Sequence, residues 1–194
     1  GDITRGPLTV TVQVHGSVMP GKALCRSSAQ PDDIVYVTGS LGDGAAALAL
    51  LQQGITLRKT AQDYLINRFY QPAPRIKEGL LLSRIAHAAI DVSDGLYADL
   101  NHICQASGVG AMIDVNRLPL SEHWRASVSR DQALAWAIGG GDDYELCFTL
   151  ARKHVPTLED WIKNGRIKAT AIGKITQTPE IFMVNKGKAM AFDI

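Results

Sequence analysis

The sequence predicts an α/β or α+β fold built on a mixed sheet. Three observations predict it. Short apolar runs rich in β-branched residues alternate with segments of helical periodicity. No internal repeat or low-complexity tract interrupts them. A chain of 194 residues with 46% apolar and 20% charged side chains can also bury a sizeable core, which excludes a disordered or fibrous protein.

The elements follow in order. Leu8, Val10, Val12 and Val14 alternate with Thr9, Thr11, Gln13 and His15, the period-two pattern of a strand over Pro7–Val18 with one buried face. Arg26–Asp33 is a polar connection, and a domain boundary falls near it. Ile34–Thr38 reads as a buried strand, and Gly39–Gly44 as a tight turn into a helix over Ala45–Gln53 that Gly54 stops. A second helix over Ala61–Tyr70 ends before Pro72 and Pro74, and a third begins after Pro74 and runs to about Ile85. Ala88–Asp91 is a short strand. Asp94–Ala106 is an amphipathic helix with Leu96, Leu100 and Ile103 on one face, closed by Gly108. Gly110–Val115 is a strand, Pro119–Arg130 a mostly helical polar excursion, and Asp131–Ile138 a helix ending in three glycines. Tyr144–Leu150 is a strand and Pro156–Asn164 a helix. Thr170–Ile175 and Ile181–Asn185 read as paired strands with a turn between them.

Charge and cysteine usage narrow the function. Twenty Lys+Arg against nineteen Asp+Glu give a net charge of +1, so no global field draws the chain to nucleic acid or an acidic membrane. The longest apolar run, around Ala45–Leu51, is far too short to span a bilayer, and nothing at the start resembles a signal peptide. Cys25, Cys104 and Cys147 are odd in number, far apart and without a CxxC pattern, as expected of reduced cysteines in a cytoplasmic protein. The chain opens on Gly1 rather than Met, and a fragment of a longer protein is the expectation.

Three constellations carry chemistry. Ile90-Asp-Val-Ser-Asp-Gly-Leu96 places Asp91 and Asp94 where a strand turns into a helix. Hard oxygen ligands there suit Mg²⁺, and Ser93 with the following N–H groups suits an anion beside it. An N-cap made by Ser93 or Asp94 explains the same residues, and both readings stand open. Gly139-Gly-Gly-Asp-Asp-Tyr-Glu145 delivers acidic residues into a strand, either to a ligand or as a helix cap with a solvated acidic turn. Gly1-Asp-Ile-Thr-Arg-Gly6 is a polar loop before a strand. Gly39-Ser-Leu-Gly-Asp-Gly44 lacks the Gly-Lys-Ser/Thr ending of a P-loop, and the five histidines form no Ser/His/Asp set.

Taken together and in this order, the three motifs resemble those of the thiamine-monophosphate kinases. Gly21-Lys-Ala-Leu-Cys-Arg-Ser27, Tyr36-Val-Thr-Gly39 and Pro72-Ala-Pro-Arg75 support the likeness, which covers nearly the whole chain. The family belongs to the superfamily of aminoimidazole-ribonucleotide and selenophosphate synthetases. The resemblance implies that residues 27–194 are the C-terminal α/β domain of that fold. It also implies that residues 1–26 are a remnant of an N-terminal ATP-binding and dimerisation domain, contributing one leftover strand. It implies ATP-dependent phosphorylation of thiamine monophosphate to thiamine diphosphate, assisted by Mg²⁺, in a cytoplasmic enzyme whose full-length form is a homodimer.

Residue by residue, the resemblance makes Asp2, Asp91 and Asp94 metal ligands. Gly1, Asp2, Arg26 and Ser93 become ATP contacts, and Asp142 a contact to thiamine monophosphate. Ile3 departs from the family's usual Thr. Expected to lack the N-terminal ligands and a C-terminal aromatic, the isolated chain is predicted to be inactive. Two alternatives remain: a related phosphotransferase or synthetase of the superfamily, and a non-catalytic ligand-binding fragment.

Overall fold

Ile-Val-Tyr-Val-Thr has no polar face, which suits a strand buried on both sides. In the computed structural model, which describes residues 6–190, it forms β1 (Ile34–Thr38), an interior strand and third in order in a seven-stranded sheet. The remaining strands are β2 (Ala86–Val92), β3 (Gly110–Asp114), β4 (Glu145–Leu150), β5 (Ala169–Thr176), β6 (Ile181–Asn185) and β7 (Lys188–Met190). The order is β2-β4-β1-β5-β3-β6-β7, antiparallel throughout except for the parallel pair β3 and β6. The helices are α1 (Asp43–Leu51), α2 (Lys59–Tyr70), α3 (Ile76–Leu82), α4 (Leu96–Ser107), α5 (Arg130–Gly139) and α6 (Val155–Lys163). None is long and apolar enough to cross a membrane.

Alternation along β1 divides the core. Val35 and Val37 face one side of the sheet, where Leu96, Leu100 and Ile103 of α4 and Ala137 and Ile138 of α5 cover them. Tyr36 faces the other side and packs with Phe148, Leu82 of α3, and Leu158 and Trp161 of α6. A third cluster joins α1 and α2 through Ala46, Ala47, Ala61, Leu65 and Trp124. The result is the expected mixed α/β architecture, helices on both faces of one sheet.

Three elements differ from the sequence expectation. Residues 7–18 form no strand, although their alternation is clear. No other described strand pairs with them, and Leu8 and Val14 stay 95% and 87% exposed. An extended segment without a partner leaves its backbone groups to water. Second, β5 and β6 do not pair with each other, because β3 lies between them. The four-residue link 177–180 crosses the start of β3, where any side chain on Gly110 would overlap the carbonyls of Thr178 and Glu180. Third, the stretch 119–130 is irregular, with one short 3₁₀ turn at Arg125–Ser127. Trp124 is drawn fully into the core, where its indole N–H donates to Asp43 at 2.7 Å, and that anchor replaces a helical surface.

Antiparallel pairing brings the ends of several strands to one edge of the molecule. The C-terminal ends of β1 and β2 and the N-terminal ends of β4 and β5 meet there, with Thr38 opposite Ala169 and Val92 opposite Glu145. Both internal motifs lie at that edge.

Candidate functional site

The loop after β2 carries Asp91, Ser93 and Asp94. Neither Ser93 nor Asp94 caps α4, so the capping alternative fails. The cap position belongs to Gly95 at φ +111°, where a Cβ would sit 2.9 Å from the Gly139 carbonyl carbon. The loop ahead of that cap is instead tied down from inside the helix. Asp99 is buried and accepts the N–H groups of Ser93 and Asp94, both at 3.0 Å. This is the reach-back half of a capping box, made by an aspartate one position later than usual. Burial raises the Asp99 carboxyl above its ordinary value, the two backbone bonds oppose the rise, and the charges of Asp94 and Asp91 add to it. Freed from capping, Asp91 and Asp94 are exposed, and no side chain of the described residues bonds their carboxylates.

The loop before β4 is built by alternation. Asp143 and Glu145 point inward and are almost fully buried, while Asp142 and Tyr144 point outward. Asp143 accepts the N–H groups of Gly42 (2.7 Å) and Gly44 (3.0 Å) at the start of α1. Burial pushes its carboxyl up to about 7 against those two bonds. Glu145 accepts the Thr38 hydroxyl at 2.6 Å, both forks of Arg75, and Arg68 Nη2 at 3.1 Å. Arg68 also donates to the Asp143 carbonyl at 2.9 Å. A solvated acidic turn is therefore excluded, since two of its three carboxylates are internal ties.

Those ties press the two motif loops together. Asp142 N–H donates to the Ser93 carbonyl at 3.0 Å, and Tyr144 N–H to the Val92 carbonyl at 2.8 Å. A side chain on Gly141 would overlap the Ser93 carbonyl, so only glycine permits the approach. Asp91, Asp94 and Asp142 consequently share one exposed rim. The Tyr144 hydroxyl donates to Asp142 Oδ1 at 2.9 Å, and that bond raises the phenol above its ordinary value, with burial and the charges of Asp142, Asp91 and Asp94 acting in the same sense.

Arg26 lies beside this rim. It is exposed, its carbonyl accepts the Ser107 hydroxyl at 3.0 Å, and it lines with Asp91 a shallow cavity of about 510 Å³. Gly1 and Asp2 fall outside the described residues. Among the described residues no group of three or more His, Cys, Asp or Glu side chains is placed to hold a metal. Two hard carboxylates with free oxygens nevertheless fit Mg²⁺, which commonly takes one or two carboxylates and completes its shell with water and phosphate.

Sequence reasoning missed the supporting residues Asp99, Asp143, Glu145, Arg68 and Arg75. For Glu145 and Arg75 the signal lay in charged residues inside or beside apolar runs. For Asp99 it was a lone acid on the apolar side of an amphipathic helix.

Comparison with known proteins finds relatives for this fold. The family model "AIR synthase related protein, C-terminal domain" matches residues 30–185. A thiamine-monophosphate kinase from Salmonella typhimurium is 46% identical over 195 aligned residues, covering all of this chain and 60% of that protein. The crystal structure of thiamine-monophosphate kinase from Stenotrophomonas maltophilia K279a superposes with a TM-score of 0.81 at 42% identity, over 89% of this chain and 56% of that one. AaThiL, complexed with AMPPCP and TMP, superposes with a TM-score of 0.71 at 31% identity, over 86% and 52%. The chain thus spans about three fifths of the length of the Salmonella relative.

Proposed function

The chain belongs to the AIR synthase related family through that family's C-terminal domain, and from this we propose that the whole protein transfers the γ-phosphoryl group of ATP to thiamine monophosphate. One observation carries the reading. The motif loops at 91–95 and 139–145 are locked together by two backbone hydrogen bonds, leaving Asp91, Asp94 and Asp142 on one rim. The proteins similar to this chain bear the name thiamine-monophosphate kinase, which selects this reaction among phosphotransfers.

In this reading Asp91 and Asp94 hold Mg²⁺, Ser93 and Arg26 contact ATP, and Asp142 faces the acceptor. The assignments of Gly1 and Asp2 to ATP, and of Asp2 to metal, belong to the same proposal. Bound Mg²⁺ would supply charge neutralisation between two polyanions. The acceptor phosphate has a second pKa near 6, so it is largely ionised at neutral pH and needs no general base. An acceptor oxygen attacks the γ-phosphorus, a P–O bond forms, the bond to the β-phosphate oxygen breaks, and ADP leaves. The protein's task is positioning and charge balance, which rigid loops carrying carboxylates and an arginine can perform.

The same reading assigns residues 1–26 to an N-terminal ATP-binding and dimerisation domain and 27–194 to the C-terminal α/β domain, within a homodimer. It places the enzyme in the cytoplasm, where free Cys25, Cys104 and Cys147 would stay reduced. The test is product formation by the whole protein with ATP, Mg²⁺ and thiamine monophosphate. Stoichiometric thiamine diphosphate and ADP support the proposal, and ATP-dependent formation of an aminoimidazole ribonucleotide instead would replace it with the synthetase reaction.

A further inference from the structure

We propose that Tyr144 determines the specificity of this site for an acceptor bearing a heteroaromatic cation, its ring receiving that cation while its hydroxyl aims Asp142 at the same charge. The inference rests on the phosphotransfer reading above and adds a residue to it. The first observation is conformational. Asp142 and Tyr144 adopt φ of +63° and +50°, in the left-handed region that side-chain-bearing residues avoid, most of all bulky ones. Such strain persists only where surrounding structure over-determines it, and it clusters at ligand sites. Here the over-determination is visible. Asp143 is fixed on Gly42 and Gly44, Glu145 on Arg75, Arg68 and Thr38, and both strained residues donate N–H groups across to the β2 loop.

The second observation is exposure. The strained backbone does not serve to bury the ring, which remains 38% exposed. The phenol instead stands beside Asp142, Asp91 and Asp94, and its hydroxyl holds Asp142 Oδ1 at 2.9 Å. An aromatic face next to several carboxylates attracts a flat, weakly hydrated organic cation. A small hard cation gains from the carboxylates alone, so the ring adds discrimination toward the aromatic one.

The experiment is steady-state kinetics of the whole protein with Tyr144→Phe and Tyr144→Leu, varying thiamine monophosphate and ATP separately. Tyr144→Leu removes the ring, and the KM for thiamine monophosphate should rise about tenfold. Tyr144→Phe keeps the ring and releases Asp142, and the KM should rise about threefold. In both, kcat and the KM for ATP should stay within about twofold. Thermal midpoints equal to wild type would show that folding is intact. An unchanged acceptor KM in Tyr144→Leu, or an equal rise in the KM for ATP, overturns the inference while leaving the kinase reading in place. Absence of wild-type turnover would instead defeat the kinase reading itself.

Discussion

Replacing Glu145 by Ala should destabilise the fold by about 3 kcal/mol. Glu145 is fully buried, pairs with the guanidinium groups of Arg68 and Arg75, and accepts a hydroxyl. Removing one partner from a buried ion pair costs about 3–5 kcal/mol, because the remaining charge stays uncompensated. The side chains of Arg68 and Arg75 are 12% and 24% exposed, so water recovers part of that loss for Arg75, while Arg68 keeps Asp43 and the Asp143 carbonyl as partners. Arg68 Nη1 has no hydrogen-bond partner, and compensation for that guanidinium rests on Asp43 Oδ2, 3.6 Å from its Nε. The lower end of the range follows. Urea denaturation monitored by far-ultraviolet circular dichroism would read it as a midpoint lowered by about 1–1.5 M, given slopes of about 2–3 kcal/mol/M for a chain of this size. A Glu145→Ala/Arg75→Ala double variant should lose less than the sum of the single variants, since one member of the pair is already gone. A midpoint within 0.2 M of wild type (on the order of 0.5 kcal/mol) would refute the claim that this pair holds the loop.

Two further outcomes follow from the buried carboxylates. Burial raises the folded-state pKa of Asp143 from its ordinary value to about 7, so the native state retains a proton that the unfolded chain releases earlier. Its contribution is therefore fully favourable below about pH 4, and falls as pH rises to about 7 by up to ~1.4 kcal/mol per pH unit. Stability curves of wild type and Asp143→Asn measured from pH 4 to 8 should separate, wild type falling relative to the variant as pH rises to about 7, and parallel curves would contradict the assignment. Replacing Asp99 by Ala leaves the N–H groups of Ser93 and Asp94 without acceptors. That should cost about 1–3 kcal/mol in urea denaturation and speed amide exchange at residues 93 and 94, whereas unaltered exchange there would exclude the tie.

The strands at 34–38, 145–150 and 181–185 and the helix at 96–107 were legible because each has an unbroken apolar run or a helical stripe. The pairing of β5 with β3 was hidden, since nearness in sequence favours a hairpin and only Gly110 marks the crossing. The alternation of residues 7–18 was real, yet a strand is a relation between two segments and the second is missing from the described residues. At the site, spacing located Asp91, Asp94 and Asp142, and it could not separate capping from ligation. Asp99 decides that question, and it lies inside a helix whose pattern reads as packing. The inward turn of Asp143 and Glu145 was likewise invisible, because their partners Gly42, Gly44, Arg68 and Arg75 lie about 70 to 100 positions away.

The account stands most directly on Asp91, an exposed carboxylate with no structural bond among the described residues. The decisive measurement is the Mg²⁺ dependence of thiamine diphosphate formation by the whole protein, wild type against Asp91→Asn. Loss of a metal-held charge at a phosphoryl-transfer centre should lower kcat about 10²-fold or more and raise the Mg²⁺ requirement, while the urea midpoint stays at the wild-type value, as for an exposed side chain. Wild-type turnover and an unchanged Mg²⁺ requirement in Asp91→Asn would contradict it.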